Sequence, residues 1–219
     1  MQPILYAHPF SSYCQKVLVA LYENGVEFDY RIVGPDNSSA VEELYAHWPI
    51  GKFPLLVDNG RAVLESSTII EHLQVHHAGP VRLIPDAPDT AVEVRMMDRV
   101  FDNYVMTPLQ KLVGDALRPS GAGDSYGCDR ARKTLDTIYA WLDQRLAPDG
   151  WAMGADFTLA DCAAAPSLFY ADWAHPIPEQ HARLRGYRAR LLARPSFVRA
   201  VNEARPYRAY FPLGAPDRD

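Results

Sequence analysis

Two serines, a tyrosine and a cysteine stand together at Ser11-Ser12-Tyr13-Cys14, a combination of hydroxyls and thiol that suits sulfur chemistry. The stretch lies between a short apolar run, Ile4-Leu5-Tyr6-Ala7, and the helically spaced Cys14, Val17, Leu18 and Leu21. The run is too short for a helix and reads as a buried strand, so a strand turns directly into a helix here. Ser11 or Ser12 can cap that helix, and its N-terminus offers unpaired N–H groups at the positive end of the macrodipole. The junction therefore suits a thiolate or another anion.

The spacing resembles the Cys-x-x-Cys redox motif of thioredoxin-like domains, and most closely the Cys-Pro-Tyr-Cys form of glutaredoxins, with serines in the first two positions. Ser11 then occupies the place of the attacking thiol. A hydroxyl cannot perform dithiol exchange, but it can donate a hydrogen bond to a thiolate brought by a ligand.

The elements that position this junction follow in order. Glu23-Asn24-Gly25 stops the first helix, and Phe28, Tyr30 and Ile32 alternate with charged residues as a half-buried strand does. Strand, helix, strand makes a right-handed crossover with the two strands parallel. Residues 33–39 read as a loop and 41–48 as a weaker helix. Asn59-Gly60 between the apolar runs 53–57 and 61–64 is a strong hairpin signal. A helix starts near Glu65-Ser66-Ser67, buries Ile69, Ile70 and Leu73, and ends by Gly79-Pro80. The order is that of a thioredoxin-like domain over residues 1–79, and the proline-rich segment 80–88 reads as a linker.

Residues 89–219 carry helical patterns only. Met97, Val100, Tyr104 and Met106 or Leu109 mark one amphipathic helix, which Pro108 is expected to bend or end. A loop over 118–127 precedes the helical face Leu135, Ile138, Leu142 and Leu146. Thr158 and Asp161 form the ends of a capping box, with Phe157 and Cys162 as a hydrophobic staple. Further helices are expected over 184–192 and 197–201. The predicted fold class is thus α/β plus all-α: a thioredoxin-like domain followed by a helical bundle.

Composition narrows the partners. The 219 residues hold a substantial core, and 48% hydrophobic with 22% charged residues excludes a disordered or fibrous chain. A net charge of -5 opposes nonspecific binding to nucleic acid or anionic membranes. No secretory signal pattern opens the sequence and no apolar run approaches a membrane span, so cytoplasmic residence is expected. Cys14, Cys128 and Cys162 are far apart and suit reduced thiols. No metal site is expected, since His76-His77 and the scattered His8, His47, His72, His175 and His181 lack ligand spacing.

Together, H-P-F-S-S-Y-C-Q-K-V, G-K-F-P-L-L, V-L-E-S-S-T-I-I and D-F-T-L-A-D, in this order and at these spacings, resemble the cytosolic glutathione S-transferase family over nearly the whole chain, in a bacterial, serine-type, theta- or zeta-like form. The resemblance implies glutathione as co-substrate, a hydrophobic electrophile as second substrate, a detoxifying role and a homodimer pairing the first domain of one subunit with the helical domain of the other. It implies a cis Pro54, where the residue alone fits an ordinary strand-start proline, with the Phe53 backbone pairing with the cysteinyl part of glutathione. Glu65 and Ser66 would hold the γ-glutamyl group, a carboxylate meeting its ammonium and a helix N-terminus its carboxylate. Lys52 would neutralise the glycyl carboxylate, or is a surface lysine.

Ser11 matches the serine that stabilises the glutathione thiolate in theta- and zeta-like members, while a beta-like alignment favours Ser12; Tyr6, Tyr13 and Cys14 are lesser candidates. Cys14, apolar in spacing, is expected to pack inward. A thiol of pKa about 8.5 is only about 3% ionised at neutral pH, whereas a pKa of about 6.5 gives roughly 75%. That shift corresponds to about 2.7 kcal/mol, within reach of one hydroxyl bond at about 1.5–3 kcal/mol plus a helix dipole at about 0.3–1 kcal/mol. Pro9, Phe10, Tyr104 and Trp173 are candidates for the electrophile site, against a core reading for aromatics at helical spacing. Substitution, conjugate addition, dienoate isomerisation and peroxide reduction all begin from the same thiolate. A noncatalytic ligand-binding or protein-interaction member of the fold is the alternative, and a thiol-disulfide reductase rests on Cys14 alone.

Overall fold

The computed structural model describes residues 2–219, and its helix α1 (Ser12–Glu23) is buried on nearly every side. It follows β1 (Ile4–Ala7) and leads to β2 (Asp29–Ile32), which pairs in parallel with β1, Leu5 facing Tyr30. After α2 (Ser38–His47) come β3 (Leu55–Asp58) and β4 (Arg61–Val63), giving a four-stranded sheet in the order β2-β1-β3-β4. Asn59 and Gly60 have φ of 49° and 79°, the left-handed pair that a two-residue hairpin turn of this hand requires. Helix α3 (Ser66–His76) closes the α/β part.

The helical part comprises α4 (Pro88–Val100), a π-helical segment (Phe101–Met106), α5 (Thr107–Ala116), α6 (Ser125–Arg145), α7 (Leu159–Ala174), α8 (Ala182–Ala193) and α9 (Pro195–Ala204), with a final 3₁₀ turn (Arg205–Tyr210). No helix among the described residues is long and apolar enough to cross a membrane.

Three local expectations are corrected. α2 begins at Ser38 rather than near 41, because the Asn37 side chain accepts the Ala40 N–H at 3.3 Å. α6 begins at Ser125, inside the expected loop, because Asp124 accepts the Gly127 N–H at 2.8 Å. Both starts are polar and lack the apolar repeat that marks a helix interior. Of the two outcomes expected at Pro108, a bend or an end, the end does not occur, since helical backbone runs on to Ala116. Pro108 follows the π segment, where the Thr107 N–H reaches back five residues to the Asp102 carbonyl and the Thr107 hydroxyl adds a bond at 3.0 Å, so the missing proline N–H falls where the ladder is already irregular. The wider turn keeps Phe101, Val105 and Leu109, four residues apart, buried and leaves Tyr104 53% exposed.

The segment between α3 and α4 is docked rather than loose. Leu83 and Ile84 are buried, the Gln74 amide donates to the Ile84 carbonyl and accepts its N–H at 2.8 Å each, and the Leu159 N–H donates to the Leu83 carbonyl at 2.8 Å. Pro88 opens α4 in its first turn, where a proline N–H is not missed.

One face of α1 was legible as apolar; its other sides are covered by α3, α7 and α9 and carry Gln15 and Lys16. Gln15 donates to the Pro9 carbonyl and the Tyr170 hydroxyl at 3.0 Å each. Lys16, 1% exposed, lies 2.5 Å from Asp98, 2.7 Å from Asp102 and 2.9 Å from the Ser67 hydroxyl, which itself donates to Asp98 at 2.8 Å. In the helical core, buried Asp161 accepts the Thr158 and Ala152 N–H groups at 2.8 Å and the Tyr187 hydroxyl at 2.6 Å. Burial still pushes the Asp161 carboxyl up against the pull of these donors. Thr158 and Asp161 are structural, as the capping box predicts.

Removing Lys16 leaves two carboxylates in the interior without their cation. Lys16→Met is expected to cost about 3–5 kcal/mol in urea unfolding; a loss under about 1 kcal/mol would mean that the pairing contributes little.

Candidate functional site

A cleft of about 230 Å³ opens where the start of β3, the start of α3 and the π segment meet. Lys52, Phe53 and Pro54 form one wall, and Leu64, Glu65 and Ser66 a second. Tyr13 and Trp48 stand between them, and Arg99, Asp102 and Asn103 close the helical side. The structure thus brings together five residues singled out from the sequence: Lys52, Phe53, Pro54, Glu65 and Ser66. The Phe53–Pro54 bond is cis.

Local sequence explains the two α3 residues. Glu65 has φ of 68°, a left-handed conformation that a residue with a long side chain adopts only when held there, at a cost of order 1–3 kcal/mol. As N-cap residue it makes no side-chain cap bond, so the first N–H groups of α3 have no capping acceptor from Glu65. Glu65 is exposed while Ser66 is buried. The cleft therefore offers two cations, Lys52 and Arg99, a free carboxylate at Glu65 and uncapped N–H groups. That set complements a zwitterion with further carboxylates.

The four residues of the opening stretch separate. Ser11 is the half-buried N-cap of α1 and makes no side-chain cap bond. Ser12 is 5% exposed, and its hydroxyl has no partner among the described residues, so it points into the interior rather than at a ligand. Tyr13 alone of the four lines the cleft. Burial, then the carboxylates of Asp102 and Glu65, push its hydroxyl up to about 12, so it stays protonated and keeps an O–H to donate. Cys14 is fully buried and accepts the His8 N–H at 3.4 Å. Burial pushes its thiol up to about 12 against the smaller pull of the Ser11 hydroxyl and the His8 N–H. The dithiol reading therefore fails. Tyr6 donates to Glu43 at 2.7 Å and is not on the cleft wall.

Asp102 reaches the cleft from the Lys16 network. Burial raises its carboxyl, Lys16 lowers it and neighbouring Asp98 raises it, with a net upward shift. Arg99, Asp102, Asn103, Trp48 and Leu64 were not marked in the sequence, because the π turn that carries Asp102 and Asn103 has no sequence pattern of its own.

The expected electrophile residues do not share a wall. Phe10 and Trp173 pack with Tyr170 and Phe211, with ring centroids 5.3 to 6.5 Å apart, around a void of about 10 Å³. Pro9 is buried beside them. Tyr104 instead lines a separate groove of about 560 Å³ with Val100, Ile138 and Trp141, flanked by Arg130 and Lys133. The core reading of these aromatics prevails for Phe10 and Trp173, and the altered phase of the π segment removes Tyr104.

Two family models match the chain: the glutathione S-transferase N-terminal domain over residues 5–81 and the glutathione S-transferase C-terminal domain over residues 127–190. A probable maleylacetoacetate isomerase of Caenorhabditis elegans is 27% identical over 78% of this chain and 79% of its own. A stringent starvation protein A homolog of Coxiella burnetii is 27% identical over 91% of both. Among solved structures, a glutathione S-transferase of Methylobacillus flagellatus with glutathione bound superposes with a TM-score of 0.80 at 26% identity, covering 91% of this chain and 98% of its own.

The burial of Ser12 and Cys14 has a direct readout. Ser12→Ala removes only an unpartnered hydroxyl and is expected to change stability by less than about 1 kcal/mol. In the folded protein, Cys14 and Cys162 are expected to resist a disulfide-exchange reagent and to react only after unfolding; rapid labelling of Cys14 in the native state would contradict its burial.

Proposed function

Because the chain belongs to the glutathione S-transferase family, we propose that it binds glutathione across the cleft between β3, α3 and the π segment, ionises its thiol and delivers the thiolate to an electrophilic small molecule. The observation that carries this reading is the convergence of Lys52, Phe53, Pro54, Glu65 and Ser66 on one cleft at the N-terminus of α3. A cleft of about 230 Å³ is small for a tripeptide, which would lie along it with its polar ends at the walls. Glu65 pairs with the γ-glutamyl ammonium, Ser66 and the α3 N–H groups receive the adjoining carboxylate, and Lys52 takes the glycyl carboxylate. The Phe53 backbone pairs with the cysteinyl unit and aims its sulfur towards the start of α1.

There the thiol proton leaves to solvent, and the Ser11 hydroxyl donates to the thiolate beside the N–H groups of α1. Ser11 is preferred to Ser12 because it is the one with an exposed side, and Tyr13, held protonated, is the second donor in reach of the cleft. The thiolate attacks an electrophilic carbon; a C–S bond forms and a leaving group departs, or the electron pair moves onto a conjugated acceptor. Addition followed by elimination of glutathione gives isomerisation, the reaction named for the nematode relative. The site of action is the cytoplasm, in keeping with three free buried cysteines.

The protein would act as a homodimer. The groove lined by Tyr104 and Trp141, the latter 39% exposed, is the apolar surface of the helical part that a second copy would cover, and Tyr45 and Ile50 are exposed apolar residues of the α/β part.

Glutathione titration followed by thiolate absorbance tests the reading. The wild type is expected to bind glutathione with its thiol pKa lowered. Ser11→Ala should raise the bound pKa by about 1–2 units, the equivalent of a hydrogen bond to a charged group. Glu65→Gln should weaken binding at least about tenfold. No binding by the wild type defeats the proposal and favours a noncatalytic member of the fold. An unchanged pKa in both Ser11→Ala and Tyr13→Phe defeats the activation mechanism alone. Sedimentation should show a dimer that Trp141→Glu dissociates, and a wild-type monomer would remove that assignment.

A further inference from the structure

Hydrogen bonds and chain direction bring two histidines onto one carboxylate at the far end of the α/β part. Asp58 closes β3 and is only 3% exposed. The Nε2 atoms of His72, in α3, and of His77, its C-cap residue, each lie 2.8 Å from the same oxygen, Asp58 Oδ2. The other oxygen is held by Asn59 Nδ2 at 3.2 Å. One ligand atom from each of Asp58, His72 and His77 lies within 4.8 Å of the other two. His76 packs on His72 with ring centroids 4.3 Å apart, restricting the rotation of that imidazole.

We propose that Asp58, His72 and His77 form a binding site for a divalent transition-metal ion of the zinc type, at the junction of the β3–β4 hairpin with the last turn of α3. Two imidazoles and one carboxylate with no thiolate are borderline ligands suited to Zn²⁺, Co²⁺ or Ni²⁺, and three protein donors leave a fourth tetrahedral position for water. The spacing needs little adjustment. Bonds of about 2.0–2.2 Å in a tetrahedron set ligand atoms about 3.3 Å apart, so each Nε2 to Oδ2 separation opens by about half an ångström. Each neutral imidazole moves its Nε2 proton to Nδ1 and coordinates through the freed lone pair; an imidazolium would release its proton to solvent. The Asn59 amide holds the carboxylate from outside, as partners of metal ligands do.

The bland alternative is a buried carboxylate satisfied by two ring N–H groups. A carboxylate oxygen can accept two donors, but here both rings, from α3 and from its cap, aim the same nitrogen at one oxygen, with one ligand atom of each residue within 4.8 Å of the other two. The sequence spacing that excluded a metal could not show this, because Asp58 arrives from the hairpin, and His72 and His77, five apart, share a side only where the helix ends. The ion would pin the C-terminal end of α3, a helix of 11 residues whose other end, about 15 Å away, carries Ser66. The site is independent of the cleft and stands whether or not the chain binds glutathione.

Calorimetric titration of ZnCl₂ into the full chain, free of any histidine tag and pretreated with chelator, decides the matter. The wild type is expected to bind one Zn²⁺ per chain and to melt at a higher temperature in its presence. His72→Gln and His77→Gln should each weaken binding at least about tenfold, and the double variant should abolish it, while His175→Gln leaves it unchanged. Co²⁺ should give visible d–d absorption that the double variant lacks, with circular dichroism establishing that the variant remains folded. Absence of saturable binding by the wild type overturns the proposal, as does one-equivalent binding that survives in the double variant.

Discussion

The buried ammonium of Lys16 is the constraint on which the arrangement depends. Taking such a charge out of water costs several kcal/mol, which only close partners offset. Those partners come from three elements: Ser67 from α3, Asp98 from α4 and Asp102 from the π segment. The same three elements supply Ser66, Arg99 and Asn103 to the cleft. A single side chain of α1 therefore fixes the relative positions of the walls of the site. Arg99, 3.6 Å from Asp98 and 3.9 Å from Asp102, adds a second cation, so two carboxylates meet two cations; burial, ahead of any charge, pushes the Asp102 carboxyl up, and burial likewise leads the rise at Tyr13, with Asp102 adding to it.

In the proposed binding mode the sulfur lies at the start of α1, where Ser11 and the unpaired N–H groups stand. In the same proposed mode the γ-glutamyl ammonium gains from Glu65 and its carboxylate from the start of α3, so two helix N-termini and the Glu65 carboxylate would give the cleft a direction, with the glycyl end left for Lys52.

Features written in contiguous residues were legible beforehand. The Asn59-Gly60 turn, the capping box at Thr158 and the strand-to-helix junction at Ser11 each depend on neighbours within a few positions, whereas the strand about Tyr30 forms without the expected alternation, Ile32 being 37% exposed. The five cleft residues were marked by the family resemblance, since residue chemistry alone also allows an ordinary strand-start proline at Pro54, a capping serine at Ser66 and a surface lysine at Lys52. What stayed hidden depends on phase or on distant segments. Tyr104 follows the helical repeat on paper, but a π turn rotates it outward; Ser12 and Ser11 differ in no local property, yet one side chain is enclosed. Phe10 and Trp173 lie in different parts of the chain, and whether they frame a cavity or fill one is decided by Tyr170 and Phe211 between them. The meeting of Asp58 with His72 and His77 likewise required the hairpin and the helix end to be in place.

Helix α3 shows how the local and the distant combine. At its N-terminal end Ser67 is tied to Lys16 and Asp98; along its length Gln74 clasps both polar groups of Ile84; at its C-terminal end His72 and His77 hold Asp58. Burial pushes the Asp58 carboxyl up, but the two histidine bonds outweigh it and hold the group below the usual carboxylate range. Ile84 sits next to Leu83, whose carbonyl accepts the Leu159 N–H at the start of α7, so the helical core also bears on α3. A helix anchored at both ends and the middle cannot shift without breaking bonds in the sheet, the linker and the bundle together. The left-handed Glu65, which precedes it, is held in its costly conformation by that anchoring. On the proposed binding mode the Glu65 carboxylate is in place before a ligand arrives, so the ordering cost that a mobile loop would subtract from affinity falls on the folding of the protein instead.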